Sequence, residues 1–461
     1  MKVIVCGAGQ VGTTIARHLS TEGMHVTVID IDEDQVRRVD ESYDVRGVVG
    51  HASHPSALAK AGARDADMLI AVTRSDEVNM VACQVAYSLF RVKRRIARLR
   101  HAGYLAQDKT GLYAAEHLPI DVIISPEIQV AEGIGHRLRT PGAFDMVPMV
   151  GNKVELLGIH VDTNGCAVVG RSISELQSGD AAGLMSVVAI LRNGRSFVPD
   201  ANDHLELGDD VYAIAPTDKV GAVMAAFGHR EKVARNVVIV GAGNVGVHLA
   251  QKLRKTARGV SVKIIEHDRD RAETVARDLG AGVVVLQGDA LDRQLLDEAQ
   301  VGQAETIVAV TNDDETNIFV SVLAKQAGCK RAITLVNKRS YEDLIPTLGI
   351  DAVVSPSAVT ISSVLRHVRR SAISALYTLR EDFGEVIEAE ITDQSRLLRG
   401  PLGHLNLPPG MRIGAVVRAG EAFVPDENTE LQIGDQIVAL VTYSYLRLAE
   451  ALLGAPQGRF R

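Results

Sequence analysis

The strongest constraint on how this chain can fold is that it repeats itself. VIVCGAGQVG (Val3–Gly12) returns as VIVGAGNVG (Val238–Gly246), and AVTRSDEVN (Ala71–Asn79) returns as AVTNDDETN (Ala309–Asn317). IDVIISP (Ile120–Pro126) returns as IDAVVSP (Ile350–Pro356). FVPD (Phe197–Asp200) returns at Phe423–Asp426, and each copy precedes a Gly-Asp pair, at Gly208-Asp209 and Gly434-Asp435. Four matches in the same order define a tandem duplication. Length alone suggests about three domains at roughly 150 residues each, but a duplicated two-part unit makes four.

In the first part of each copy, short apolar runs alternate with segments of helical period. Lys2–Cys6, His25–Ile29, Val45–Val49, Met68–Val72, Arg95–Leu99 and Val122–Ile124 read as buried parallel strands. Gln10–Ser20 and Asp76–Phe90 read as the helices between them. This alternation predicts an α/β fold with two Rossmann-like, doubly wound parallel sheets. The second part of each copy is rich in β-runs (Val154–Val161, Ser186–Leu191, Val211–Ala215) broken by turn signals, which predicts a small α+β module. The expected units are 1–140, 145–228, 234–370 and 376–461, with linkers near Thr140–Gly151, Phe227–Ala234 and Arg370–Gly384.

Gly7-Ala8-Gly9-Gln10-Val11-Gly12 follows a strand and opens a helix, as a pyrophosphate-binding turn requires. The helix's free N–H groups then hold the anion. Asp30 closes the second strand, where a carboxylate meets a ribose diol. Copy two repeats the arrangement with Gly241, Ala242, Gly243, Asn244, Val245 and Gly246, and with Glu266 as the acid. An acid at this position repels a 2′-phosphate, so NAD is expected over NADP. The alternative is a Rossmann fold whose glycines serve packing alone.

Ligands of such sheets bind at the carboxyl ends of the strands. That places His51 and its counterpart Asp289 after the third strand, and Thr73-Arg74 and Thr311-Asn312 after the fourth. Arg98 ends the fifth strand, placed to neutralise a phosphate, and aligning Arg94–His101 with Lys330–Asn337 sets Thr334 in its place in copy two. Copy one is therefore expected to tolerate a more highly charged ligand such as ATP.

Composition narrows the remaining classes. With 50 Lys plus Arg against 57 Asp plus Glu the net charge is −7, and a nucleic-acid binder needs a basic face instead. Four separated cysteines form no thiolate metal site or disulfide framework and fit a reducing compartment. The start, MKVIVCGAGQVG, runs directly into a strand, so no signal peptide is expected, and no apolar run reaches the ~18–20 residues of a membrane span. His51 and His54 lack a neighbouring carboxylate or thiolate ligand and read as surface residues, so no metal site is expected. The basic stretches Arg91–Arg95 and Arg366–Arg370 read as solvated helix ends. An oxidoreductase needs a substrate pocket and a proton-handling group. The duplicated modules share no His, Lys or Tyr in their matching parts, so no catalytic residue is assigned.

GAGQVG, GHASHP (Gly50–Pro55), AVTRSDEVNMVACQVAYSLF (Ala71–Phe90), GAGNVG, AVTNDDETNI (Ala309–Ile318) and LPPGMRIGAVVR (Leu407–Arg418) together resemble the TrkA family over nearly the whole chain. These are the NAD-binding regulatory subunits of bacterial Trk potassium uptake systems. Each half is similar to an RCK domain, a Rossmann-like part followed by a TrkA-C part. The resemblance implies nucleotide contacts at Gly7–Val11, Asp30, Thr73, Arg74 and Arg98, and at Gly241–Val245, Glu266, Thr311 and Asn312. Gly50-His51-Ala52 departs from the Gly-Asp-Ala pattern common in RCK domains, which copy two keeps at Gly288-Asp289-Ala290. It further implies a tetrameric ring in the cytoplasm, docked on a potassium-translocating membrane subunit and responsive to NAD(H) or ATP/ADP. The competing class is an NAD-dependent oxidoreductase.

Overall fold

The computed structural model describes residues 1–106, 111–140, 142–162, 166–178, 183–229, 234–256, 259–342, 344–368, 373–380 and 383–454. Parts of the three expected linkers, the unit boundary at Arg370, the end of the last unit (455–461), and Arg369 and Arg370 of the basic run lie outside them.

Strands β1 (Lys2–Cys6), β2 (His25–Asp30), β3 (Arg46–Val49), β4 (Met68–Ala71), β5 (Arg94–Arg98) and β6 (Val122–Ile124) form a parallel sheet in the order β3-β2-β1-β4-β5-β6. An antiparallel sheet follows, built from β7 (Ala143–Met149), β8 (Val154–His160), β9 (Ser186–Arg192), β10 (Arg195–Phe197) and β11 (Asp210–Pro216) in the order β10-β9-β11-β8-β7. Copy two repeats the parallel sheet with β12 (Asn236–Val240), β13 (Ser261–Glu266), β14 (Val283–Gln287), β15 (Thr306–Ala309), β16 (Arg331–Leu335) and β17 (Ala352–Val354). Its antiparallel sheet uses β18 (Ile373–Arg380), β19 (Gly384–Glu390), β20 (Met411–Arg418), β21 (Glu421–Phe423) and β22 (Gln436–Thr442). Topology is the same in both copies.

The FVPD and Gly-Asp repeats have a structural cause. Asp209, fully buried, accepts two bonds from Arg192 at 2.7 Å each, and the guanidinium lies over Phe197. Asp435, Arg418 and Phe423 reproduce the arrangement. A buried carboxylate is tolerated because a bidentate guanidinium satisfies it.

Two expectations are corrected. Thr140–Gly151 is no linker, because Ala143–Met149 forms edge strand β7. Arg95 of the first basic stretch is buried within β5, where it pairs with Asp121 at 2.7 Å and donates to the carbonyls of Pro119 and Val92.

The two copies complete each other. The crossover helix Pro126–Arg139 of copy one places Val130, Ala131, Ile134 and Leu138 in the core beneath β12 and the glycine-loop helix Asn244–Thr256 of copy two. Its counterpart, Pro356–Val368, places Val364, Leu365 and Val368 in the core beneath β1 and the glycine-loop helix Gln10–Thr21. The antiparallel sheets pack on each other through Val154, Leu156, Ile214, Val386, Ala415 and Val438. Among the described residues, no helix is long and apolar enough to cross a membrane.

Candidate functional site

In each glycine loop the three glycines are required for three different reasons. Gly7 has φ +112°, a conformation strained for any residue with a side chain, and packs against the Thr73 backbone. A Cβ on Gly12 would collide with the Gly7 carbonyl, so helix and strand can approach only with glycine there. A Cβ on Gly9 would meet nothing within 4 Å, so this backbone is open to a ligand. Gly241 (φ +103°), Gly246 and Gly243 repeat the three roles in that order. No side chain caps the helix that begins at Gln10, in contrast to the next helix, Glu33–Ser42, which Asp32 caps. Its first-turn amides are available to an anion.

Asp30 stands at the carboxyl end of β2, against this loop. One oxygen accepts the Ala8 N–H at 2.6 Å and the other the Asp32 N–H at 3.0 Å. Glu266 holds Ala242 and Asp268 in the same way, at 2.7 and 3.0 Å. Each acid therefore shapes its cradle and keeps lone pairs for a diol. Gly50 N donates to Asp30 O, and Gly288 N to Glu266 O, which brings His51 and Asp289 to the same strand ends. His51 Nδ1 lies 2.7 Å from Ser53 Oγ with its ring stacked on His54, and Asp289 accepts the Leu291 amide.

Thr73 and Thr311 are fixed by buried asparagines that sequence reasoning passed over. Asn79 Oδ1 accepts the Thr73 N–H and hydroxyl at 2.9 and 2.7 Å, while its Nδ2 donates to Arg98 O. Asn317 does the same for Thr311 and Leu335. Asp76 and Asp314 secure the next loop by accepting the amides of Arg100 and His101, and of Asn337 and Lys338. The signal was present, since these Asp and Asn residues sit inside the repeated AVTxxDExN. Arg74 and Asn312 are exposed at the rim.

The strand register corrects the fifth-strand alignment. Ala71 pairs with Ala97 and Ala309 with Thr334, so the counterpart of Arg98 is Leu335. Thr334 instead bonds Ser321 in the core. Arg98 is buried, donates to Thr73 O at 2.8 Å and leaves Nε without a partner. Burial, reinforced by nearby Arg100, lowers its pKa to about 10. Burial also raises the carboxyl pKa of Glu127. Asn244 Nδ2 donates to Arg100 O at 3.1 Å, which joins the second glycine loop to the end of β5.

These groups fit a dinucleotide or nucleoside phosphate. Each cradle has an open glycine and an acid at the ribose position, and copy one adds an incompletely bonded guanidinium for phosphate. Among the described residues no group of side chains is arranged to hold a metal ion.

Fold and cradles together define a tandem Rossmann-type protein with an antiparallel module after each parallel sheet. The TrkA-N domain model matches residues 3–126 and 237–356, and the TrkA-C domain model matches 159–228 and 386–454. The chain belongs to the TrkA family. It is 43% identical to the Trk system potassium uptake protein TrkA of Azorhizobium caulinodans, covering 98% of both chains. It is 39% identical to that of Vibrio alginolyticus, again over 98% of both. The solved structure of the GsuK channel bound to NAD shares the fold at a TM-score of 0.60 and 20% identity, covering 98% of this chain and 78% of that one.

Proposed function

We propose that this chain is a nucleotide-sensing regulatory subunit of a Trk-type potassium uptake system. NAD(H), and ATP or ADP, bind in copy one at Gly7, Ala8, Gly9, Gln10, Val11, Asp30, His51, Thr73, Arg74 and Arg98. They bind in copy two at Gly241, Ala242, Gly243, Asn244, Val245, Glu266, Asp289, Thr311 and Asn312. The chain works in the cytoplasm, as a homotetrameric ring on the inner face of the membrane, and gates a potassium-translocating membrane subunit without catalysing a reaction. The units 1–140, 145–228, 234–370 and 376–461 are its working parts.

The observation that carries this reading is the clamping of each glycine-loop helix by the crossover helix of the other copy. After the Pro126–Arg139 helix the chain enters β7, the first strand of the antiparallel module. A ligand that favours one position of the glycine-loop helix thereby biases a module outside the site. Such a bias equals the ligand's differential affinity for the two arrangements, typically ~1–3 kcal/mol.

The test combines calorimetry with spectroscopy on the full chain. NADH and ADP should bind, and the reduced-nicotinamide absorbance should stay constant for hours with a panel of small carbonyl metabolites. Saturable, substrate-dependent loss of that band, abolished by Gly9→Val, would favour the oxidoreductase instead.

A further inference from the structure

The two cradles differ at one side chain that the repeats do not flag. Each acid is followed by a helix capped by an aspartate, Asp32 in copy one and Asp268 in copy two. Asp32 accepts the Gln35 amide at 3.1 Å and Asp268 the Arg271 amide at 2.7 Å, so the two backbones match. The side chains part there. Gln35 Nε2 turns back to Asp32 Oδ2 at 2.9 Å. Arg271 reaches across to the second glycine loop, where its Nε donates to Ala242 O at 2.9 Å.

Among the described residues this is the only hydrogen bond or ion pair of the Arg271 side chain, so neither Nη group has a partner. The residue is half-buried, and its guanidinium is held against the loop by one bond with the remaining donors uncommitted. Such a group is prepared to take a phosphate oxygen bidentately, because the entropy of placing it has already been lost. Copy one carries its buried cation, Arg98, at the end of β5, on the other side of the glycine loop, where copy two has Leu335.

We propose that Arg271 is a ligand-binding residue of the second site, gripping the phosphate next to the adenosine ribose. This rests on the nucleotide-binding reading above and deepens it. Copy one reads negative charge at the far end of the ligand through Arg98. Copy two reads it at the adenosine end through Arg271, so it takes diphosphates and dinucleotides without needing a terminal phosphate.

The experiment uses full-length Gly9→Val protein, in which the side chain fills copy one's open cradle. Gly9 has φ −69° and ψ −178°, which valine adopts without strain. Adenosine, ADP and NADH are titrated calorimetrically into this protein with and without Arg271→Gln. Losing a charge-assisted bond should weaken ADP and NADH by about tenfold or more and leave adenosine unchanged. Arg271→Lys should restore part of the loss. Unchanged ADP affinity in Arg271→Gln, or an equal loss for adenosine, would overturn the assignment and leave Arg271 a brace for the loop. Absence of any nucleotide binding by the Gly9→Val parent would overturn the reading of the second site itself, and this assignment with it.

Discussion

Gly9 and Gly12 are three residues apart and opposite in what they tolerate. Gly12→Ala pushes a methyl into the Gly7 carbonyl, so the helix must move off the strand. That overpacking should cost about 1–3 kcal/mol and lower the melting temperature, whereas Gly9→Ala should melt as the parent does. Equal melting of the two variants in a thermal scan would contradict this account of the loop. At this scale the glycines, Asp30 and Glu266 were legible because a phosphate-binding turn constrains residue type directly. Arg98 was legible too, but its counterpart was not. The polar residues of the two strands, Arg94, Arg95 and Arg98 in β5 and Arg331 and Thr334 in β16, match at only one position, so the ladder between β15 and β16 is what identifies Leu335. Arg271 was invisible for a different reason, since a duplication advertises what both copies share and this residue is what they do not.

Among the secondary-structure elements, the strand misread as a linker is the instructive case. Ala143–Met149 contains Pro148 and follows Gly142, and both residues signal a break. The structure accommodates the proline because β7 is an edge strand, where a missing N–H breaks no ladder on the outer side. Its neighbour β8 buries Glu155, and Oε2 has no hydrogen-bond partner. Burial raises this carboxyl's pKa to about 7, only partly opposed by Arg139. The folded state therefore binds a proton that the unfolded chain, with its carboxyl near the ordinary value of 4.5, has released. This contribution to stability is complete below about pH 4.5 and is lost as pH rises through about 7, by roughly 3 kcal/mol in total. Glu155→Gln should flatten that part of the pH–stability curve in denaturant titrations. An unchanged slope between pH 5 and pH 7 would exclude Glu155 as its source.

For the whole molecule, duplication is more than repetition. The Val3 and Val5 face of the first parallel sheet is covered in part by Val364, Leu365 and Val368 of copy two. Leu365→Ala should accordingly cost about 2–5 kcal/mol. Hydrogen exchange should show the loss in β1 and Gln10–Thr21 of the other copy, and faster exchange confined to copy two would contradict the exchange of helices. The sequence announced two copies but not this pairing, because an apolar helix face does not say whose sheet it covers.

In the proposed function that pairing lets two nucleotide sites act on distant surfaces, and potassium flux tests this claim most directly. The chain would be reconstituted with a Trk-type potassium-translocating subunit in liposomes, and flux measured with and without NADH, ADP or ATP. The account predicts that nucleotide changes the flux, that Gly9→Val and Gly243→Val each remove part of the response, and that the double variant removes all of it while still binding the membrane subunit. Flux indifferent to nucleotide, or a full response in the double variant, would contradict it.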